Sequence, residues 1–290
     1  MATSATSIRQ SRSAWHFSVG TVLLYIALLF GALLTLGPLV YLFTRAFMPE
    51  SQQLTWPVQW IPRPPTISNF QKILSDPTLP VFRWLINSLF VATSVTALVL
   101  FICSLTAYAY ARLEFPGRNV IFFLLLTSLM VPGAVTFIPN FLLMRNLHWL
   151  DSYNGLIWLN GSNVFGVFLL RQHFLSVPKE LEEAAIVDGA GRFRIYWQIA
   201  LPLVTGAMVA LGIFTFLGNW NDLFWPLIIL SDRNRLTLPV GLQVLGNGNY
   251  VQQGLTMAAA ALASAPPLIL YMIFQRRIVA GMALTGMGGR

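Results

Sequence analysis

Six stretches of the chain contain no Asp, Glu, Lys, Arg or His, and the charged residues are confined to the segments between them. The stretches cover residues 18–44, 87–111, 120–144, 155–170, 195–221 and 254–275. About 20 apolar residues in a helix cross the hydrocarbon core of a bilayer. Because that core offers no water to backbone N–H and C=O groups, each stretch is predicted to be a transmembrane helix. The fourth is short and carries Asn160, Gly161, Ser162 and Asn163 near its middle.

Composition supports a membrane protein. Of the 290 residues, 56% are hydrophobic and only 10% are charged, whereas soluble domains carry about 25% charged residues. The net charge of +8 comes from basic residues scattered at the ends of the apolar stretches, a placement typical of membrane topology rather than of a phosphate-binding surface. The predicted class is therefore an all-α, polytopic protein embedded in a lipid bilayer, with no nucleic-acid partner.

The basic residues also predict the orientation. With six spans both termini lie on one side, and eleven of the 18 Lys and Arg residues then fall on the side of the termini. Because cytoplasmic loops carry the excess of Lys and Arg, both termini are predicted to be cytoplasmic. The predicted divisions are a cytoplasmic N-terminal segment (1–17), a first transmembrane helix (18–44), a periplasmic segment rich in Pro and Trp that forms an ordered cap (45–86), a transmembrane core of five helices (87–275) with an inner loop (171–199), and a cytoplasmic tail (276–290).

The inner loop contains KELEEAAIVDGAGRF, residues 179–193, which holds four of the ten acidic residues of the chain. A helix is predicted to begin near Pro178, just after Ser176, and to end at Gly189 in a left-handed conformation. A second short helix is predicted over 192–198. One face of the first helix would carry Leu181, Ala184, Ala185 and Asp188. Periodicity alone leaves two interpretations open, a solvated connector on the membrane surface or a docking surface for another protein.

The spacing of this loop resembles the EAA signature of membrane subunits of binding-protein-dependent ABC importers. The matching residues are Glu183, Ala184, Ala185, Gly189, Ile199, Leu201 and Pro202. The segments at 87–119, 130–141, 220–227 and 274–290 look like the carbohydrate-uptake branch, specifically its maltose-type second membrane subunit. The terminal Gly-Met-Gly-Gly-Arg departs from the tail usual in that family, which leaves the contacts of the tail open.

The resemblance implies a permease subunit with the type I ABC importer architecture in the inner membrane of a bacterium. Such a subunit is not an enzyme and holds no cofactor. It forms half of the translocation path for a sugar or sugar-like solute, such as an oligosaccharide, a disaccharide or a glycoside. The implied partners are a second homologous membrane subunit, two ATP-binding subunits that hold ATP and Mg, and an extracytoplasmic solute-binding protein. The residues implied in coupling to the ATPase are Glu182, Glu183, Ala184, Ala185, Asp188, Gly189, Ile199, Leu201 and Pro202.

The chain lacks the motifs of other energy sources. It contains no G-x-x-x-x-G-K-[ST] phosphate loop, and its apolar stretches carry none of the carboxylates or histidines that mark proton relays. His16, His148 and His173 show no metal-ligand spacing, and no metal site is predicted. Two alternatives remain in transport: an importer for a non-sugar solute such as glycerol phosphate, polyamine or peptide, and an ion-coupled carrier that works without ATP. A membrane enzyme would lack any catalytic constellation.

Two polar groups are candidates for the solute path because sugars need hydrogen-bonding groups and flat aromatic faces. They are Asn160, Ser162 and Asn163 in the fourth stretch, and Asn219, Trp220, Asn221 and Asp222 at the end of the fifth. The alternative is that the small polar residues pack helices together and that Trp220 anchors the chain at the membrane interface.

The predicted outer loop between the last two spans contains VLGNGNYVQQ, residues 244–253. About 32 residues separate the spans here, more than the few that a connector needs. In maltose-type importers the corresponding loop enters the cleft of the binding protein, which implies a contact role for Gly246, Asn247, Gly248, Asn249 and Tyr250. The alternative is a flexible surface turn.

The predicted topology can be tested by labelling. Single cysteines at Ser176 and Gly248, each in a Cys103→Ala background, are expected to react with an impermeant thiol reagent from opposite sides of the membrane. Reaction of both cysteines from the same side would contradict the six-span topology.

Overall fold

The part of the chain that the computed structural model describes, residues 19–247 and 252–286 with side chains through 275, is helical and contains no β-strand. Its helices are α1 Val19–Ala46, α2 Glu50–Gln53, α3 Ser68–Ser75, α4 Val81–Arg112, α5 Arg118–Thr127, α6 Gly133–Asn146, α7 Tyr153–Leu159, α8 Val164–Ser176, α9 Lys179–Val187, α10 Arg192–Ile195, α11 Leu201–Leu203, α12 Thr205–Trp220, α13 Phe224–Ile229, α14 Leu238–Gly246 and α15 Gln253–Gly286. A 3₁₀ turn, Ser128–Met130, follows α5, and a π-helical turn, Tyr196–Ala200, follows α10.

Among the described residues three continuous helices are long and apolar enough to cross a membrane: α1, α4 and α15 as far as Gln275. They correspond to the first, second and sixth predicted spans. The helix α4 begins at Val81 rather than at residue 87, because the exposed side chain of Arg83 does not interrupt the helix.

The third and fifth predicted spans each consist of two helical segments that meet at a bend, which corrects the prediction of one helix for each. The bend between the α5 segment and α6 is 101°. It falls at Pro132, and Val131 before this proline is extended, as expected of a residue that precedes proline. The segment Arg192–Leu203 meets α12 at 78°, with Pro202 just before the bend and Val204 at it.

The fourth predicted span is two helices, α7 and α8, with a break at residues 160–163. Asn160 ends α7, where its side-chain amide donates to the carbonyl of Leu156 at 3.1 Å. Asn163 begins α8 by accepting the backbone N–H of Gly166 at 2.8 Å. The helix α8 then runs to Ser176, beyond the predicted end at residue 170. The polar residues near the middle of this stretch therefore interrupt the helix by supplying its caps.

The core is built around α4, against which α8 and α12 pack. One face of α4 is lined with small or β-branched residues at helical spacing, namely Val91, Val95, Val99, Cys103 and Ala107, all buried. Two glycines allow the close approach of their neighbours. A Cβ atom added to Gly161 would lie 2.5 Å from a methyl carbon of Leu98, and one on Gly166 would lie 3.1 Å from the Cys103 sulfur.

The segment 45–86 is ordered and is tied to the helices on either side of it. Arg45 at the end of α1 is buried and donates to the carbonyl of Gln53, and Asn69 donates to the carbonyls of Ala46 and Met48 at 3.0 Å each. The two carboxylate oxygens of Glu50 accept the N–H groups of residues 253 and 254 at 3.0 and 3.2 Å. A carboxylate at the positive end of a helix is stabilising, and this one anchors the start of α15.

The long connector between α12 and α15 contains two helices that the sequence analysis missed, α13 and α14. Both include proline near the start, which obscured them. Trp84 of α4 is fully buried against Gly241 of α14, and its indole N–H donates to the carbonyl of Arg233 at 2.7 Å. Asn87 donates to the carbonyls of Asn234 and Leu236 at 2.9 Å each. The connector is therefore packed onto one end of α4.

The contact between Trp84 and Gly241 predicts a stability difference between two glycines of α14. A Cβ atom on Gly241 would lie 2.1 Å from a ring carbon of Trp84, whereas one on Gly246 meets nothing within 4 Å. We expect Gly241→Ala to lower the free energy of unfolding by about 1–3 kcal/mol through overpacking. The matched change Gly246→Ala should leave it unchanged or slightly raised. Thermal unfolding of the two variants in detergent measures the difference, and equal melting temperatures would contradict it.

Candidate functional site

The helix α9 lies in the loop predicted to carry the docking surface, and it has one buried and one exposed side. Pro178 occupies its N-cap position, and Asp188 its C-cap. Glu182 and Ala185 are buried, whereas Leu181, Glu183, Ala184 and Asp188 are exposed. Ala185 therefore lies at the buried edge of the predicted face, next to Glu182, and is not exposed with Leu181, Ala184 and Asp188. Ser176, just before the predicted start of this helix, is the last residue of α8, and its hydroxyl donates to the carbonyl of His173 at 2.8 Å.

Gly189 ends α9 in the left-handed conformation, with φ at +78°, which confirms the predicted helix end. Its N–H donates to the carbonyl of Ile186 at 3.0 Å, and the N–H of Ala190 donates to that of Ala185 at 2.9 Å. These bonds satisfy carbonyls that the end of a helix leaves without partners. A Cβ atom on Gly189 would meet nothing within 4 Å, so the backbone conformation alone requires glycine here.

A buried group of side chains lies beneath α9, and we call it the Arg112–Glu182 cluster. It consists of Ser104, Tyr108, Arg112, Glu182 and Tyr196. The Nε atom of Arg112 and the Oε1 atom of Glu182 form an ion pair at 3.0 Å, with only 3% and 7% of the side chains exposed. These two atoms are not aligned as a hydrogen bond. The Tyr108 hydroxyl donates to the other oxygen of Glu182 at 3.3 Å.

The cluster also connects α9 with α8 and with the π-helical turn. Arg112 donates to the carbonyl of Val177, between α8 and α9. The hydroxyls of Tyr196 and Ser104 lie 2.8 Å apart. The ring of Tyr108 contacts those of Phe174 and Tyr196, with centroids 5.6 and 5.2 Å away.

The second half of the EAA-like motif follows on the π-helical turn and α11. The expected second helix over 192–198 is present: α10 continues without a break into the π-helical turn Tyr196–Ala200, which widens the helix by one residue, and the helical segment extends to Leu203. Ile199 and Leu201 are half-buried, and Pro202 is exposed just before the 78° bend. The loop also exposes large apolar side chains, namely Leu181, Ile186, Val187, Phe193 and Trp197.

A cleft of about 430 Å³ brings together residues from both polar groups predicted for the solute path. Asn160, Ser162 and Asn163 line one wall, and Asn219 and Asp222 line another. Aromatic and hydroxyl side chains that the sequence did not indicate also line it, namely Phe165, Phe214, Thr215 and Trp225. The rest of the lining is apolar: Leu159, Leu169, Leu211 and Gly218. None of the described residues that line the cleft is basic.

Trp220 and Asn221 do not line this cleft. Trp220 is buried, stacks on Phe216 with centroids 5.8 Å apart, and donates its indole N–H to the carbonyl of Ala263 at 3.2 Å. It is thus part of the contact between α12 and α15. The aromatic face comes instead from Trp225, which Asp222 helps to place by accepting the N–H groups of Phe224 and Trp225. In the sequence, Asp222 lies two positions before Phe224 and three before Trp225, and this spacing is the signal that could have indicated the placement of Trp225.

The predicted contact loop is described only in part. Gly246 is the last residue of α14, and Asn247 follows it as an exposed turn. Gly248, Asn249 and Tyr250 lie outside the described residues, as does the N-terminal segment 1–17. In the tail, the backbone of α15 continues to Gly286, and the side chains from residue 276 onward lie outside the description.

Comparison with known proteins identifies the family of this fold. The model of the family described as binding-protein-dependent transport system inner membrane component matches residues 101–284, well over half of the chain. The chain belongs to this family. The matched region includes α9, the Arg112–Glu182 cluster and the walls of the cleft. An inner membrane component of this kind is a permease, a non-catalytic membrane subunit.

Curated relatives of this permease cover nearly its whole length. The sn-glycerol-3-phosphate transport system permease protein UgpE of Yersinia pestis is 35% identical over 264 residues, which are 89% of this chain and 94% of that protein. The arabinooligosaccharides transport system permease protein AraQ of Bacillus subtilis is 32% identical over 280 residues, 96% of this chain and 99% of that protein.

A solved structure shares the fold of the permease. A chain from the crystal structure of a bacterial ABC transporter involved in the import of the acidic polysaccharide alginate superposes with a TM-score of 0.79 at 25% identity. The match covers 90% of this chain and 98% of that chain. The predicted recognition of an ABC importer permease is thereby confirmed.

Proposed function

We propose that this permease forms half of the translocation path of an ATP-driven importer for a neutral saccharide, such as an oligosaccharide. The observation that carries the proposal is the composition of the cleft. Side-chain amides and hydroxyls offer hydrogen bonds to sugar hydroxyls, and the rings of Phe165, Phe214 and Trp225 offer flat apolar faces. The name of the relative AraQ, which refers to arabinooligosaccharides, agrees with this solute class.

The charge of the cleft favours one of the two solute classes that appear in the names of the relatives, a neutral saccharide over glycerol phosphate. Its only charged lining side chain among the described residues is Asp222. A phosphate or a uronate would find no cation on this wall and would approach a carboxylate. The runner-up function, import of glycerol phosphate as the name UgpE indicates, would therefore need the basic groups to come from the partner half of the path.

The open side of the cleft would face the second membrane subunit. Phe214 and Phe165 on its rim are 71% and 55% exposed within this chain, as expected of side chains that a partner covers. Two homologous subunits would then enclose the solute between them. An extracytoplasmic binding protein would deliver the solute on the outer side, with residues 246–250 as its contact loop.

The exposed face of α9 would dock on an ATP-binding subunit. It combines apolar side chains at Leu181, Ala184 and Val187 with the acidic Glu183 and Asp188. Such a surface fits a groove that has apolar walls and a basic rim. Two ATP-binding subunits would hold ATP and Mg, the tail after residue 276 would reach them, and both termini of the permease would be cytoplasmic.

The solute class is tested through the binding protein that works with this permease. Thermal-shift and calorimetric screening of that protein should show binding of neutral oligosaccharides. Binding of glycerol phosphate, or of acidic oligosaccharides alone, would overturn the assignment to neutral saccharides.

The role of the cleft predicts that filling it stops transport. Ser162 lines the cleft and is exposed, so Ser162→Trp should lower solute uptake by roughly tenfold or more by closing the path, while the complex still assembles. Ser51 on α2 is an exposed serine away from the cleft, and Ser51→Trp serves as the matched control. Uptake into proteoliposomes that contain the assembled importer measures the effect. A tenfold loss corresponds to a rise of about 1.4 kcal/mol in the activation free energy of transport. Normal uptake by Ser162→Trp would show that the solute takes another route.

The left-handed end of α9 predicts a second functional effect. Gly189→Ala forces a side chain into a conformation that costs roughly 1–2 kcal/mol, which should shift the end of the docking helix and reduce uptake. Gly191, two residues away, has φ at −71° and open space around it, so Gly191→Ala should leave uptake unchanged. Because Asn tolerates left-handed backbone better, Gly189→Asn should retain more uptake than Gly189→Ala. Equal uptake by all three variants would contradict the prediction.

A further inference from the structure

The Arg112–Glu182 cluster has a feature that docking of α9 does not explain. Glu182 lies one residue before the exposed Glu183, yet its side chain is 7% exposed and faces α4. Removing two charges from water is costly, and an ion pair in such a place is often no more stabilising than apolar residues of the same shape. What the pair provides is a defined geometry between the two elements that it joins.

We propose that Arg112 and Glu182 form a positioning linkage that holds α9 and the inner end of α4 together as one body. Movement of the ATP-binding subunits would thereby reach the wall of the solute cleft. This inference rests on the proposed docking of α9, and it assigns to Glu182 a role inside the permease instead of a contact with the ATPase.

The contacts fix both the position and the rotation of α9. The two oxygens of Glu182 meet Arg112 and Tyr108, which lie one turn apart on α4. Arg112 also holds the carbonyl of Val177, just ahead of the first turn of α9. The C-terminal end of α4 therefore contacts both the Glu182 side chain of α9 and the backbone that leads into α9. Sliding or rotation of α9 would break at least one of these contacts.

The same face of α4 holds the second half of the motif. Ser104, Tyr108 and Arg112 follow at intervals of four residues, and Ser104 pairs with Tyr196 on the π-helical turn. The two halves of the motif are thus joined to one stripe of α4, although the glycines at 189 and 191 separate them along the chain.

The helix α4 then leads to the cleft without interruption. From Arg112 it runs back through Cys103, whose thiol donates to the carbonyl of Asn163 at 3.2 Å, to Leu98, which contacts Gly161. At 1.5 Å per residue the distance from residue 112 to residue 98 is about 20 Å along one rigid helix. Asn160, Ser162 and Asn163, on either side of Gly161, form a wall of the cleft. A displacement at α9 is therefore carried to the solute path by packed, continuous structure, without a flexible joint.

The test compares variants of the complete importer in proteoliposomes with its binding protein. Glu182→Gln removes the charge at nearly constant shape, and the ratio of solute transported to ATP hydrolysed should fall about tenfold, within the range of typical coupling energies. Glu114, an exposed glutamate just after α4 and outside α9, provides the matched control Glu114→Gln, whose ratio should not change. Arg112→Gln should act like Glu182→Gln, and the double variant should be no worse than either, because both changes break one linkage.

Tyr108→Phe keeps the ring contacts and removes only the hydroxyl that bonds Glu182. It therefore tests the linkage even if the charge variants fail to assemble. The ratio of solute transported to ATP hydrolysed should fall, but by less than in Glu182→Gln. A purely structural role would lower the melting temperature and reduce transport and hydrolysis in the same proportion, leaving the ratio unchanged; that result would overturn the linkage. Cross-linking from Ala184→Cys to the ATP-binding subunit separates the two proposals. A cross-link together with an unchanged ratio would refute the linkage alone, whereas absence of the cross-link would refute the docking of α9.

Discussion

Close packing against α4 is the constraint on which the rest of this permease depends. Within a bilayer, helices are not driven together by exclusion from water, and association relies on intimate contact between small residues. The small and β-branched face of α4, from Val91 to Ala107, meets α8 and α12 with glycines at the closest points. This contact places the break at residues 160–163 beside α12 and so creates the cleft. It also brings the C-terminal end of α4 against the buried side of α9.

The cleft shows how a membrane protein obtains a polar wall without leaving backbone groups unsatisfied. Interrupted helices are tolerated at membrane depth only where other groups take over the freed hydrogen bonds. Asn163 does this by accepting the N–H of Gly166 at the start of α8. Asn160 and Asn219 satisfy their own side-chain amides by donating to carbonyls one turn earlier, those of Leu156 and Thr215. The packing and solute interpretations of these residues are therefore compatible: the groups that close the helix ends also line the space in which a saccharide would lie.

The two neighbouring glutamates of α9 lie on different surfaces of the helix, one exposed and one buried. Glu183 is exposed and belongs to the EAA match, whereas Glu182 is buried against Arg112. A helix turns by 100° per residue, so adjacent residues lie on different faces. The short helix can therefore present one face to a partner while the other is held by its own chain.

The sequence by itself determined the helical class, the locations of six apolar segments, the family and the left-handed end of α9. These follow from local causes: the length of apolar runs, the motif spacing and the conformational freedom of glycine at residue 189. Only the tertiary structure decided the bends at Pro132 and near Val204 and the burial of Ala185. It also decided that Trp225, and not Trp220, lines the cleft. It alone joined Arg112 to Glu182, because 70 residues separate them and no local pattern records which helix faces meet. Side-chain direction depends on packing between helices, and the periodicity of one helix cannot determine it.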